Sequence, residues 1–336
     1  CIRDSGYTTP HGDKPVVAYW STGKVGMSGV SHPGTFSLAG ATTGVDGLEV
    51  VIPVAANTSP YHYYRSNGLV RHPYGFLGED IDVMYDFVHS NPDRREWCNQ
   101  HMRDTEMAEG FDRVTGDYNA FWAERDYLLD LQPVKAAVLM AHGLNDWNVV
   151  PEHTNRIYQA LKAQGATTQV YYHQGGHGGS PPRDMMNRWF ARYLHGVQND
   201  VETGPRAWIV REDDDRSKPT PYEDYPHPAA KPVVLHPVAG APETGRLVTR
   251  KPSRQGTETL VDNVSFSGST LARATWTNHR LMFVTPELSK DLHLSGTPRI
   301  SIKLASNKPA VNLSVWLVSL PWSESRQTKI TDNIIT

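Results

Sequence analysis

The chain has 336 residues, 38% of them hydrophobic, and a formal net charge of −3, enough length to bury one large core or two ordinary ones. The balance of 33 Lys and Arg against 36 Asp and Glu excludes a nucleic-acid binder built on a basic stripe. No apolar run approaches the roughly 18 residues of a membrane-spanning helix.

Residues 1–15 are polar and rich in Gly, Pro and Thr, which predicts a surface loop. Residues 24–35 read Lys-Val-Gly-Met-Ser-Gly-Val-Ser-His-Pro-Gly-Thr. This predicts a short strand over 25–27, a sharp turn at Ser31, and a helix over 33–43 entered at Pro33. Gly29 leaves room for a backbone that doubles back beneath the serine. Such a turn exposes a nucleophilic hydroxyl above a sheet and aims the N–H of His32 at an oxyanion. The strict pattern for it is G-x-S-x-G; here Pro33 holds the second glycine position and Gly34 follows one place late.

Residues 48–55 form an apolar run of strand length, as in a parallel sheet buried on both faces, ending before Pro53. From 57 to 133 the chain is aromatic and charged with helical spacing, which predicts a helical cap inserted between sheet strands. A strand returns over 134–142, a helix over 150–164, a strand over 168–173, a glycine loop over 174–180, and a helix to His195. After a boundary loop at 197–205 the helices stop. Strand-like runs at 207–210, 232–236, 281–285, 299–304 and 311–317 predict an all-β sandwich or jelly roll. The expected organisation is therefore α/β: a catalytic domain over 1–200 carrying its cap at 57–133, and a β-rich domain over 201–336.

Three strand ends carry the chemistry. Ser31, Asp146 and His177 each lie in a loop after a sheet strand, and such loops gather at the carboxyl edge of a parallel sheet. Their chain order is that of the α/β-hydrolases. The expected roles are Ser31 as nucleophile, His177 as general base and then acid, and Asp146 as the group that fixes the imidazole tautomer. A zinc reading of His173 and His177 is weaker, because Gly175 and Gly176 between them break the helical geometry and no Glu follows the first His. Glu79, Asp80 and Asp82 form an acidic group in the cap, which serves either as a solvated helix start or as a partner for a cationic substrate group.

Several longer motifs recur in order: the elbow from Gly23, Ala-Thr-Thr-Gly-Val at 41–45, Tyr-Tyr-Arg-Ser-Asn-Gly-Leu-Val at 63–70, Gly-Asp-Tyr-Asn-Ala-Phe-Trp at 116–122 and His-Gly-Leu-Asn-Asp-Trp-Asn-Val at 142–149. In these the chain resembles the bacterial X-prolyl dipeptidyl aminopeptidases over about residues 20 to 200, and more loosely in the β-rich tail. The resemblance implies an α/β-hydrolase fold and a serine exopeptidase that needs no cofactor and releases Xaa-Pro dipeptides. It implies a triad on Ser31, Asp146 and His177, an amine anchor on Glu79, a proline-pocket wall on Tyr63 and a pocket residue at Asn148. The family usually has Tyr where this chain has His32; a backbone N–H survives that exchange. The family's second oxyanion donor would precede residue 1. The implied partners are peptides with Pro at the second position, not nucleic acid or membrane, and a homodimer stays open.

An esterase or acylase of the same superfamily, cocaine-esterase-like or amino-acid-ester-hydrolase-like, is the alternative. A non-catalytic binding protein built on the tail is a third. The two cysteines, Cys1 and Cys98, make no disulfide framework. Residue 1 is Cys and the last residues stop in strand-like sequence. Both ends are thus expected to be cut, leaving open whether the protein is cytoplasmic or secreted.

Overall fold

The computed structural model describes residues 7–8, 11–12, 15–16, 19–66, 68–70, 80–212, 214–263, 265–309 and 311–320. They divide into two compact units, Cys1–Pro221 and Tyr222–Thr336.

The first unit is built on a six-stranded sheet. Its strands are β1 (Val25–Val30), β2 (Leu48–Val54), β3 (Ala137–Gly143), β4 (Thr168–His173), β5 (Ala207–Ile209) and β6 (Thr220–Tyr222). They lie side by side in chain order, and β1 through β5 pair in parallel. Every residue of β3 and β4 is buried, the pattern expected of strands covered on both faces. Helix α1 (His32–Thr42) packs on β1 and β2, α2 (Glu152–Ala163) on β3 and β4, and α3 (Arg183–His195) on β2 and β1. Val50, Ile52, Val54, Leu139, Tyr171 and Trp189 are the centre of the core. Gly196, in the left-handed conformation at φ 71°, ends α3, a position glycine takes at no steric cost.

The strand over 48–55 does not stop before Pro53. It runs to Val54, with Pro53 opposite Gly29 of β1. On the other side the paired residues are Val50, Val51 and Val54. The proline thus falls where the ladder to β3 is interrupted, and its missing N–H costs no bond there. The run over 207–210 is also placed differently. It pairs with β4 as β5, within the compact unit that runs to Pro221.

Between β2 and β3 lies the helical segment, with helices at Pro60–Tyr64, Ile81–Val88, Pro92–Cys98 and Ala120–Ala123 and a π-helix at Asn99–Met107. A two-residue hairpin, Arg65–Ser66 with Leu69–Val70, is a strand pairing the sequence pattern did not suggest. Tyr64, Met107, Phe111, Phe121 and Trp122 form a separate small core there. Arg65 and Asp80 make a buried ion pair at 2.6 Å beside it. Asp80 also accepts from Ile81 N at 2.8 Å and from Arg113 Nε at 3.1 Å, so the buried carboxylate is fully partnered.

Among the described residues of the second unit, β7 (His236–Val238), β8 (Gly245–Val248) and β9 (Phe283–Val284) form a three-stranded sheet. Arg280 donates to Ala241 O at 2.8 Å and Glu243 O at 3.0 Å, in the segment between β7 and β8, and to Ala274 O at 2.6 Å. The described residues of the runs at 299–304 and 311–317 are not strands. Ile300, Ile302 and Leu304 keep their alternation yet are all exposed, and a strand forms only where another pairs with it.

Candidate active site

Ser31 stands between the end of β1 and the start of α1 at φ 61° and ψ −122°. A non-glycine residue held there stores about 1–3 kcal/mol of strain, which the surrounding packing must hold. Ser31 N–H donates to Val54 O at 2.8 Å and Ser31 O accepts from Thr35 N at 2.9 Å. The two glycines let strand and helix approach. A Cβ on Gly29 would lie 2.5 Å from the Pro33 carbonyl carbon, and one on Gly34 would lie 2.6 Å from Val54 O and 2.9 Å from Gly29 O. The late glycine is therefore the one that α1 needs for its contact with β1 and β2. His32 is the first residue of α1, so its N–H belongs to the first-turn groups that have no intrahelical acceptor. Its ring packs on Phe36 with centroids 4.4 Å apart.

Asp146 follows β3 and His177 follows β4. His177 Nε2 is 2.8 Å from Ser31 Oγ, and His177 Nδ1 is 2.8 Å from Asp146 Oδ2. A carboxylate only accepts, so Nδ1 carries the proton and the Nε2 lone pair faces the serine hydroxyl. Asp146 is buried. Its Oδ1 accepts from Asn148 N at 2.9 Å and Val149 N at 3.0 Å, and its Oδ2 also receives His142 Nε2 at 3.2 Å. Burial raises the Asp146 pKa, but hydrogen bonds from His142 and His177 outweigh it and bring the carboxyl down to about 2. The group is thus an anion throughout the neutral range.

The loops bearing Asp146 and His177 are laced together. Leu144 N donates to His173 O at 2.7 Å, Asn145 N to Gly175 O at 3.1 Å, and Asn145 Nδ2 to Gln174 O at 2.6 Å. The buried His173 accepts from Gly175 N at 2.9 Å through Nδ1 and donates from Nε2 to Gly178 O at 2.9 Å. Only the neutral ring, with its proton on Nε2, makes both bonds at once. Burial, then the charge of Arg216, push its pKa down to about 4. The four-residue spacing of His173 and His177 serves two hydrogen-bonded roles, one in the loop's frame and one beside Ser31.

Tyr63 and Asn148 come together, Tyr63 Oη donating to Asn148 Oδ1 at 2.7 Å. Because Asn148 N bonds Asp146, this pair joins the cap segment to the acid loop. Glu79 lies outside the described residues. Sequence reasoning missed His142 and the framing role of His173. Both are the polar residues that end or nearly end fully buried strands, a pattern that marks them in retrospect.

Residues 16–179 match the family described as X-Pro dipeptidyl-peptidase (S15 family), and residues 199–336 match the X-Pro dipeptidyl-peptidase C-terminal non-catalytic domain.

The chain belongs to the X-Pro dipeptidyl-peptidase family.

It is 64% identical to a Rhodopirellula baltica protein provisionally named Xaa-Pro dipeptidyl-peptidase, over 100% of this chain and 54% of that one. It is 35% identical to the Xaa-Pro dipeptidyl-peptidase of Lacticaseibacillus rhamnosus, over 91% of this chain and 40% of that one. The chain spans about half the length, or less, of these curated relatives. Among solved structures, a CocE/NonD family hydrolase from Staphylococcus aureus superposes with a TM-score of 0.51 at 19% identity, over 70% of this chain and 40% of that one. That likeness speaks to the fold alone, which is the α/β-hydrolase fold with its chain-ordered parallel strands. The two family matches together reach both units, and the match to the C-terminal non-catalytic domain begins at residue 199, ahead of β5.

Proposed function

We propose that the full-length protein containing this chain is a serine exopeptidase that releases Xaa-Pro dipeptides from peptide N-termini. The observation that carries the proposal is the unbroken chain Ser31 Oγ, His177, Asp146, with 2.8 Å at each link, at the ends of three strands of one sheet. Ser31 attacks the carbonyl carbon while His177 Nε2 takes its proton. The oxyanion develops in front of the His32 N–H and the N-terminus of α1. His177 then passes the proton to the departing amine, and a water repeats the cycle on the acyl-enzyme. Asp146 stays ionised and stabilises the imidazolium.

Tyr63 and Asn148 support the reading of a proline-binding wall, since a ring held by a 2.7 Å bond offers a fixed apolar face to a residue that has no N–H to donate. Glu79 is proposed to bind the substrate's free amine. A Gly-Pro anilide, its acetylated form and a small neutral ester distinguish the possibilities. Release from the free-amine substrate well above the other two is expected. Equal cleavage of the acetylated form would refute the dipeptidyl reading, and preference for the ester would favour the esterase alternative. The homodimer allowed for above is read out by sedimentation of the full-length protein.

A further inference from the structure

Asp146 Oδ2 serves two imidazoles, His177 on the serine side and His142 on the other. His142 lies in β3 four residues before Asp146 and is completely buried. Its Nε2 is 2.7 Å from Val149 O and 3.2 Å from Asp146 Oδ2. Both of those oxygens can only accept, so Nε2 carries a proton and shares it between them. Its Nδ1 is 2.7 Å from Thr154 Oγ1 on α2, a hydroxyl able to donate to a neutral ring. Every polar atom of this imidazole thus has a partner, and the tautomer follows from the partners alone.

We propose that His142 is a positioning residue for the catalytic step, a second N–H donor that fixes the Asp146 carboxylate and tempers its hold on His177. The inference rests on the Ser31–His177–Asp146 reading. A carboxylate oxygen with two donors divides its charge between them. Take His142 away and the same oxygen turns wholly to His177, holding the imidazolium more tightly and making the ring a slower base at mildly acidic pH. The carboxylate also loses one of the bonds that hold its plane.

His173, the last residue of β4, and Arg216, in the segment after β5, act on one another electrostatically beside this cluster. His153, the neighbour of Thr154 on α2, turns its Nδ1 to Thr58. Among the described residues, His142 and His177 are rings bonded to Asp146 Oδ2.

The test uses the full-length protein and reads the second-order rate of Ser31 labelling by a fluorophosphonate as a function of pH, a measure independent of peptide specificity. His142→Met removes the donor at similar volume. His142→Gln keeps an N–H near the Nε2 position. The Met variant is expected to label about tenfold more slowly or worse, the low end for losing a bond to an ionised partner. The acid limb of its labelling profile should move to higher pH, and the Gln variant should keep the limb of the parent. Circular dichroism and melting establish that each variant is folded. If His142→Met does not fold, Thr154→Val takes its place, since losing the hydroxyl at Nδ1 weakens Nε2–H as a donor and should move the limb in the same direction by less. Met and Gln variants with the same limb, or no limb shift in Thr154→Val when it replaces Met, would overturn the proposal and leave the triad standing. A parent protein that labels nowhere would overturn the triad and this inference together.

Discussion

Gly34→Ala is a sharp probe of how the elbow is built, because helix propensity and packing pull in opposite directions there. In a helix interior alanine is better than glycine by about 1 kcal/mol. Here a Cβ would sit 2.6 Å from Val54 O, 2.9 Å from Gly29 O and 3.1 Å from Val54 N. All three are backbone atoms of β1 and β2, so no side chain can swing aside. Restoring ordinary contact means moving α1 off the sheet by about 0.8 Å, taking ~3.4 Å as the near limit for a carbon contact. Overpacking of that kind costs about 1–3 kcal/mol, so the net loss of stability is about 0–2 kcal/mol. The functional loss should be larger than the stability loss. Ser31 is the residue before α1, and its Oγ sits 2.8 Å from His177 Nε2. A displacement near 1 Å at the reacting atoms costs on the order of 100-fold in rate. The assay is fluorophosphonate labelling of the full-length protein beside its melting temperature. A variant that melts within a few degrees of the parent but labels tens of times more slowly agrees with the geometry. Unchanged labelling would mean that the close approach at Gly34 does not set the position of Ser31.

Asp146→Asn should leave the fold intact and lower kcat by about four orders of magnitude, as an amide at this place favours the wrong imidazole tautomer; a drop below tenfold would contradict the assigned role. Tyr63→Phe removes the 2.7 Å bond to Asn148 and should raise KM for Xaa-Pro anilides several-fold, about 1 kcal/mol, while a small ester is hardly affected; equal loss on both substrates would make Tyr63 part of the frame rather than the pocket. His173 gives a stability prediction with a definite sign. The folded ring protonates near pH 4 and the unfolded one near 6.5, so unfolding takes up a proton between those values. The stabilisation is full above about pH 6.5 and declines as pH falls towards 4, by about 3 kcal/mol in all. Denaturant midpoints across that range read it, and His173→Gln should flatten that part of the curve; an unchanged slope would contradict the neutral buried ring.

Much of the site was legible before the fold because it depends on local rules. A strand, a serine between glycines and a Pro-started helix form an elbow whatever surrounds them, and loops after parallel strands meet by topology. That is why Ser31, Asp146 and His177 could be chosen from chain order. Pro53 misled because the pattern says where a proline forfeits an N–H, not whether the ladder needed one. The run at 207–210 misled because a three-residue strand takes its sheet from its neighbour β4, a long-range fact. His142 and His173 stayed hidden for a different reason: each is one polar residue in a buried strand, and what it bonds to is decided by loops that the strand does not encode. The apolar alternation at 299–304 promised a strand, but pairing needs a partner that periodicity cannot supply.

The central claim is that Ser31 is the nucleophile of an Xaa-Pro-releasing exopeptidase. It is tested most directly by treating the full-length protein with a fluorophosphonate, mapping the adduct by peptide mass spectrometry, and following Gly-Pro anilide release in the same samples. The account predicts one adduct, on the peptide carrying Ser31, formed in step with loss of release and absent from Ser31→Ala, which should itself retain no more than a trace of activity. An adduct on another residue, or anilide release that continues in Ser31→Ala near the parent rate, would contradict it.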